Sequence, residues 1–151
     1  MVISTARGFS DAAVERIAGN GWRQNLLANL YKNLYIQIVS ERAKPIEFRG
    51  SALDDLRAFP VAAKREAGYQ LDQVQRGRNP DDWKPMNTVG HGVCEIRIRD
   101  TDGAFRVIYV AKFADAIYVL HCFQKKTQKT SREDLAVATR RYKDLLKEQK
   151  P

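Results

Sequence analysis

The chain has 151 residues, enough for one domain with a real core, and its 44% hydrophobic and 29% charged content is that of an ordinary globular protein. Its net charge of +8 favours an anionic partner such as nucleic acid. No apolar run approaches the roughly 18 residues that span a bilayer and no signal-peptide pattern opens the chain, so a cytoplasmic protein without a membrane partner is expected.

In chain order, SDAAVERIA (residues 10–18) reads as a short helix with Ser10 as N-cap, broken by Gly19-Asn20-Gly21. From Trp22 to about Glu41, Leu27, Leu30, Tyr31, Leu34, Tyr35 and Ile38 recur at helical spacing, which predicts an amphipathic helix. Lys44-Pro45-Ile46-Glu47-Phe48 reads as a first strand. Ser51 then caps a helical turn, with Asp54 and Asp55 near its positive end. Pro60 suits the first turn of a helix over roughly 61–76 that ends near Gly77. Residues 78–82 read as a loop.

Beyond the loop the period falls to two. From Val93 to Arg99, Ile96 and Ile98 take one face and Glu95, Arg97 and Arg99 the other. Asp100-Thr101-Asp102-Gly103 is a hairpin signal. Ala104–Ala111 is the return strand and Ile117–Phe123 a third, linked around Ala114-Asp115, which makes an antiparallel meander. Ser131 opens the last helix with Asp134 in a capping-box-like place, and Leu135, Ala138, Tyr142 and Leu145 form its apolar stripe. The order of elements predicts an α+β domain with its helices packed on one sheet face.

The charge is uneven. Residues 84–151 carry fourteen Lys/Arg against eight Asp/Glu, whereas residues 44–83 carry seven of each. Arg97 and Arg99 share one strand face, Arg106 lies in the next strand on the face of Ile108 and Val110, and Lys125, Lys126 and Lys129 leave the third. With strands about 5 Å apart these cations can converge on one patch suited to a phosphate backbone. A solvated face whose arginines pair with Glu95, Asp100 or Asp102 is the alternative. Cys94 and Cys122 read as buried free thiols in a reducing cytosol. His91 and His121 add no ligand spacing, so neither a metal site nor a cofactor is expected. His121 reads as a satisfied core histidine sharing a strand face with Val119 and Phe123. Tyr109 and Phe123 read as core, His91 as a loop residue before the strand, and Lys84 as a candidate addition to the basic patch with a plain surface lysine as the default.

These pieces carry a resemblance. KPIEFRGSALDDLRAFP, KPMNTVGHGVCEIRIRD, GAFRVIYVA and LHCFQKKTQKT, followed by a helix, resemble the RelE/HigB-type toxin superfamily of bacterial type II toxin–antitoxin systems, in its phage-derived-protein branch. The likeness runs from Lys44 to Lys147 and divides the chain into an N-terminal helical extension (1–43) and a toxin domain (44–151). It implies a RelE-like fold: an antiparallel meander with N-terminal helices and a C-terminal helix packed on the sheet. It also implies a ribosome-dependent mRNA endoribonuclease, with mRNA on the ribosome and a cognate antitoxin of helix-turn-helix type as partners. Carried over by position, Arg106 is the phosphate-stabilising catalytic residue, Lys126 a basic catalytic position and Arg97 the basic position on the preceding strand. Lys125, Lys129, Arg99, Lys84 and His91 are left to hold RNA. Glu95 stands where some relatives have a basic residue, which leaves a base role open, and no pair of histidines offers acid–base chemistry. A nucleic-acid-binding module without catalysis, or a degenerate toxin that only binds antitoxin, would want the same cations.

Overall fold

The computed structural model describes residues 26–35 and 43–150. The chain divides into two units, Met1–Ala43 and Lys44–Pro151. In the first, residues 26–35 are helical, as the spacing of Leu27, Leu30, Tyr31 and Leu34 predicts. Leu26, Leu30 and Leu34 are exposed there. The helix expected over 10–18, and the remainder of Trp22–Glu41, lie outside the described residues.

The second unit runs β1 (Ile46–Phe48), α1 (Ala52–Arg57), α2 (Val61–Gln75), β2 (Trp83–Pro85), β3 (Val93–Asp100), β4 (Gly103–Val110), β5 (Ile117–Lys125) and α3 (Arg132–Glu148). The sheet order is β1-β5-β4-β3-β2, with β1 parallel to β5 and every other pair antiparallel. It is an α+β fold of the RelE-like kind, with the expected meander of β3, β4 and β5 at its centre. The hairpin stands where Asp100-Thr101-Asp102-Gly103 predicts it. Asp102 N donates to Asp100 Oδ1 at 2.7 Å. Gly103 takes φ 135°, a backbone conformation that favours glycine.

Two edge strands complete the sheet. β1 docks beside β5 in the register Phe48↔Val119. β2 was not apparent as a strand in the sequence. It forms because buried Gln70 of α2 clamps the preceding loop, donating to Asp81 Oδ2 and accepting from Asp81 N, each at 2.9 Å. Asp82 O then accepts from Arg97 N at 2.9 Å, which brings Lys84 opposite Glu95.

The placement of the helices corrects the sequence reading. They flank both faces of the sheet and do not share one. α1 and α2 pack Ala52, Leu56, Ala63, Ala67 and Leu71 against Ile96, Phe105, Val107, Val119 and Cys122. α3 packs Ala138, Tyr142 and Leu145 on the opposite face against Val93, Ile108, Val110, Leu120 and Phe123. Two covered faces explain why β4 and β5 are nearly continuous in apolar residues.

A bulge in β5 makes the second correction. Ile108 pairs with His121 and Tyr109 with Val119, leaving Leu120 as the extra residue. His121 and Phe123 therefore share the α3 side, while Val119 lies in the other core. The carbonyl of Leu120 is taken by Arg141 Nη1 at 2.8 Å, and the same guanidinium reaches Ser51 Oγ at 3.0 Å. Ser51 makes no capping bond to the backbone of α1 and donates instead to Asp55 Oδ2. Ser131 does cap α3: its hydroxyl accepts from Asp134 N at 3.1 Å, as expected.

Tyr142 ties α3 to the loop before β3. Its hydroxyl donates to His91 O and accepts from Lys112 Nζ, each at 2.8 Å, and its ring lies over Gly90, where an added Cβ would sit 2.0 Å from Tyr142 Cε1. Gly90→Ala should therefore force the ring or the loop away and lower stability by about 1–3 kcal/mol. Chemical denaturation measures this directly. An unchanged midpoint would mean that the ring yields without cost.

Candidate functional site

Residues paired across adjacent strands point to the same side of a sheet. On the α3 side, β2 to β5 thus carry three cross-strand rows: Lys84–Glu95–Ile108–His121, then Arg97–Arg106–Phe123, then Arg99–Ala104–Lys125. The apolar packing of α3 ends at Ile108 and Phe123. From there to the β3–β4 hairpin the face is cationic, and Ala104 is the one small side chain in its last row.

The centre is a buried ion cluster. Arg106 is 3% exposed and Glu95 is fully buried. Glu95 Oε1 lies 3.4 Å from Arg106 Nε, 3.7 Å from Arg97 Nε and 3.8 Å from Lys84 Nζ. Among the described residues, neither Glu95 oxygen nor Arg106 Nε has a hydrogen-bond partner. Arg106 Nη1 donates to Phe105 O at 2.9 Å. Burial pushes the Arg106 guanidinium below its ordinary pKa, Glu95 opposes this, and Arg97 and Arg99 add to it. An arginine remains charged through any such shift. Burial also lowers Lys125, and the positive charge of Arg106 lowers it further. Three cations shared by one buried carboxylate leave a strong net positive field.

The sequence-based candidates fall into two groups. Arg97, Arg99, Arg106, Lys84 and Lys125 come together. Arg97 Nη1 also lies 3.8 Å from Asp82 Oδ1, a partner the sequence reading missed because β2 was not recognised. The pairing acid is Glu95, while Asp100 accepts from Asp102 N and holds the hairpin. The signal for Glu95 was present in EIRIR, where one acid sits among cations on a single strand face. Lys126 and Lys129 follow the strand and are exposed, in a turn where Thr127 Oγ donates to Lys129 O at 2.6 Å. Lys125, not Lys126, is in register with the Arg106 face. His91 precedes β3 at the end away from the hairpin; at about 3.3 Å per residue, six residues put it on the order of 20 Å along the strand from Arg97.

The remaining polar candidates lie in the packed parts of the fold, with His121 Nδ1 left without a hydrogen-bond partner among the described residues. His121 is buried, its Nε2 lies 2.8 Å from Asp134 Oδ1, and its ring stacks on Phe123 at 5.0 Å. Tyr109 is buried in the other core, on the face opposite Arg106. Both cysteines are free thiols, and among the described residues no group of three or more His, Cys, Asp or Glu could hold a metal ion. No described helix is long and apolar enough to cross a membrane. Burial raises the pKa of Cys94 and pushes Cys122 up to about 12, so Cys122 is a poor nucleophile near neutral pH. Iodoacetamide at pH 8 should therefore modify Cys122 only as fast as the protein unfolds. Peptide mapping would reveal rapid native labelling if that burial were lost.

The model of the phage-derived protein Gp49-like family (DUF891) matches residues 54–143. No curated protein matches the chain. The matched segment runs from α1 into α3 and encloses Lys84, Glu95, Arg97, Arg99, Arg106 and Lys125. Because this segment is more than half of the 151 residues, the chain belongs to the phage-derived protein Gp49-like family.

Proposed function

We propose that the protein is the toxin of a type II toxin–antitoxin system, a RelE/HigB-like endoribonuclease that cuts mRNA on the ribosome in the cytoplasm and is neutralised by a helix-turn-helix antitoxin. The observation that carries this reading is Arg106, a buried guanidinium at the centre of a cationic sheet face, flanked by Arg97, Arg99 and Lys125. Membership of the Gp49-like family, which is associated with RelE-like toxins, supports it.

In the proposed reaction the RNA 2′-hydroxyl attacks the adjacent phosphorus. The bond to the 5′-oxygen breaks, leaving a 2′,3′-cyclic phosphate and a 5′-hydroxyl. Negative charge grows on the phosphate oxygens as this happens, and fixed cations aimed there lower the barrier without reorganising. Arg106 is the central cation, and Arg97 supports it from β3. The small Ala104, between Arg99 and Lys125, leaves room for the phosphate against that row. The ribosome supplies the in-line alignment of hydroxyl and phosphate. Fully buried Glu95 is poorly placed to take the hydroxyl proton.

One observation favours a second reading. A guanidinium that is 3% exposed and paired with Glu95 is also what a purely structural ion cluster would contain. In that case the face binds nucleic acid without cutting it, or the protein only binds its antitoxin.

Arg106→Ala decides between these readings. It should lower cleavage of a defined mRNA on translating ribosomes by roughly a hundredfold or more and relieve growth arrest on induction, with the protein still folded by circular dichroism. Full toxicity at equal expression would make Arg106 structural.

The lysines separate by the same assay. Lys125→Ala should lower the rate on saturated ribosomes, because Lys125 faces Arg106. Lys126→Ala and Lys129→Ala should mainly weaken binding, each reducing its salt dependence by about one phosphate contact. A rate loss confined to Lys126→Ala would return the catalytic lysine to the position that the family resemblance assigns.

A further inference from the structure

We infer that Glu95 is a positioning residue of the proposed RNA-cleaving site: a buried carboxylate that lowers the site's affinity for RNA while raising its rate. The inference rests on the cleavage reading above.

Four observations carry it. Glu95 is fully buried, so it does not touch RNA itself. All three of its ion pairs run through Oε1, to cations from three strands: Lys84 of β2, Arg97 of its own β3 and Arg106 of β4. Neither of its oxygens has a hydrogen-bond partner among the described residues, although unsatisfied buried carboxylate oxygens are costly. Finally, its contact with Arg106 is at Nε, on the stem side of the guanidinium, and with Arg97 likewise at Nε.

The last point gives the role. A carboxylate that only neutralised an arginine would be expected to engage it in a bidentate fork. Here the closest approach to each guanidinium is at Nε, while Arg106 Nη1 donates to Phe105 O and Arg97 Nη1 lies 3.8 Å from Asp82 Oδ1, so each arginine is held at more than one point. Glu95 thus holds two arginines that would otherwise repel, side by side on neighbouring strands. The same charge subtracts from the field that attracts a phosphate. A residue acting this way has opposite effects on binding and on turnover, a signature that simple loss of structure does not produce.

Glu95→Gln, nearly the same shape without the charge, is the test in the full chain. Two quantities are read: single-turnover cleavage of a defined mRNA on translating ribosomes, and equilibrium binding of a fluorescein-labelled single-stranded RNA oligonucleotide. The rate should fall on the order of tenfold to a hundredfold, while the oligonucleotide binds about twofold tighter or more with a steeper salt dependence. In a double variant, Glu95→Gln added to Arg106→Lys should cost little beyond Arg106→Lys alone, because the two act through one group. Rate and affinity falling together in a folded variant, or neither changing, would overturn the inference. Where Glu95→Gln does not fold, Glu95→Asp keeps the charge but shortens its reach. A rate deficit with wild-type affinity then supports the role, and a wild-type rate overturns it. A wild-type protein that cuts nothing defeats the cleavage reading instead, and it is told apart because the wild-type row fails before any variant is compared.

Discussion

The architecture turns on how a guanidinium is placed in the middle of a sheet. Arg106 lies on β4, the central strand, with β3 and β5 on either side and the packed core one row away. Taking a lone cation out of water at such a position costs several kcal/mol, on the order of the stability of a small domain. Glu95, directly beside it, makes the burial tolerable. The same carboxylate draws in Lys84 and Arg97, so β2 is held to the sheet through charge as well as through its backbone ladder. The clamp of Gln70 on Asp81 is the mechanical counterpart, because it delivers Asp82 and Lys84 to the edge where the cluster needs them.

The helices determine which part of the face stays open. α1 and α2 occupy the opposite side, so α3 alone covers the side that bears the cluster. It begins only at Arg132, after the turn that follows β5, and its first anchor on the sheet is the pair Asp134–His121. The β-bulge at Leu120 allows that pair, by putting Leu120 and His121 on the α3 side together, and Arg141 satisfies the displaced carbonyl. Packing therefore reaches Phe123 and stops, and the hairpin end is left to Arg97, Arg99 and Lys125.

Much of this was legible in the sequence. The hairpin is written in Asp100-Thr101-Asp102-Gly103, the strand face in the alternation of CEIRIR, and the α3 cap in Ser131 and Asp134. What was not legible has identifiable physical causes. β2 is three residues long and ends in proline, so it exists through tertiary clamping and not through propensity. A one-residue bulge leaves no local mark, yet it decides which face His121 takes. An amphipathic helix announces that it has a core face but not which side of the sheet will receive it, although the nearly continuous apolar runs of β4 and β5 carry the signal of two covered sides. The site was half legible for the same reason. Alternation together with the hairpin register placed Arg97, Arg99 and Arg106 on one side, whereas the choice between Lys125 and Lys126 required the register of β5.

A cationic surface is common among nucleic-acid-binding proteins, and by itself it argues only for attraction. This face differs because its central cation is almost wholly out of solvent and is paired at 3.4 Å with an acid that solvent does not reach. Surface lysines such as Lys126 and Lys129 sample many rotamers, and their attraction is screened by salt. A guanidinium held between strands samples few, in a medium where its field is stronger. The face therefore carries two kinds of positive charge, exposed lysines at the end of β5 and a buried guanidinium, and the proposed cleavage reading assigns capture to the first and transition-state charge to the second.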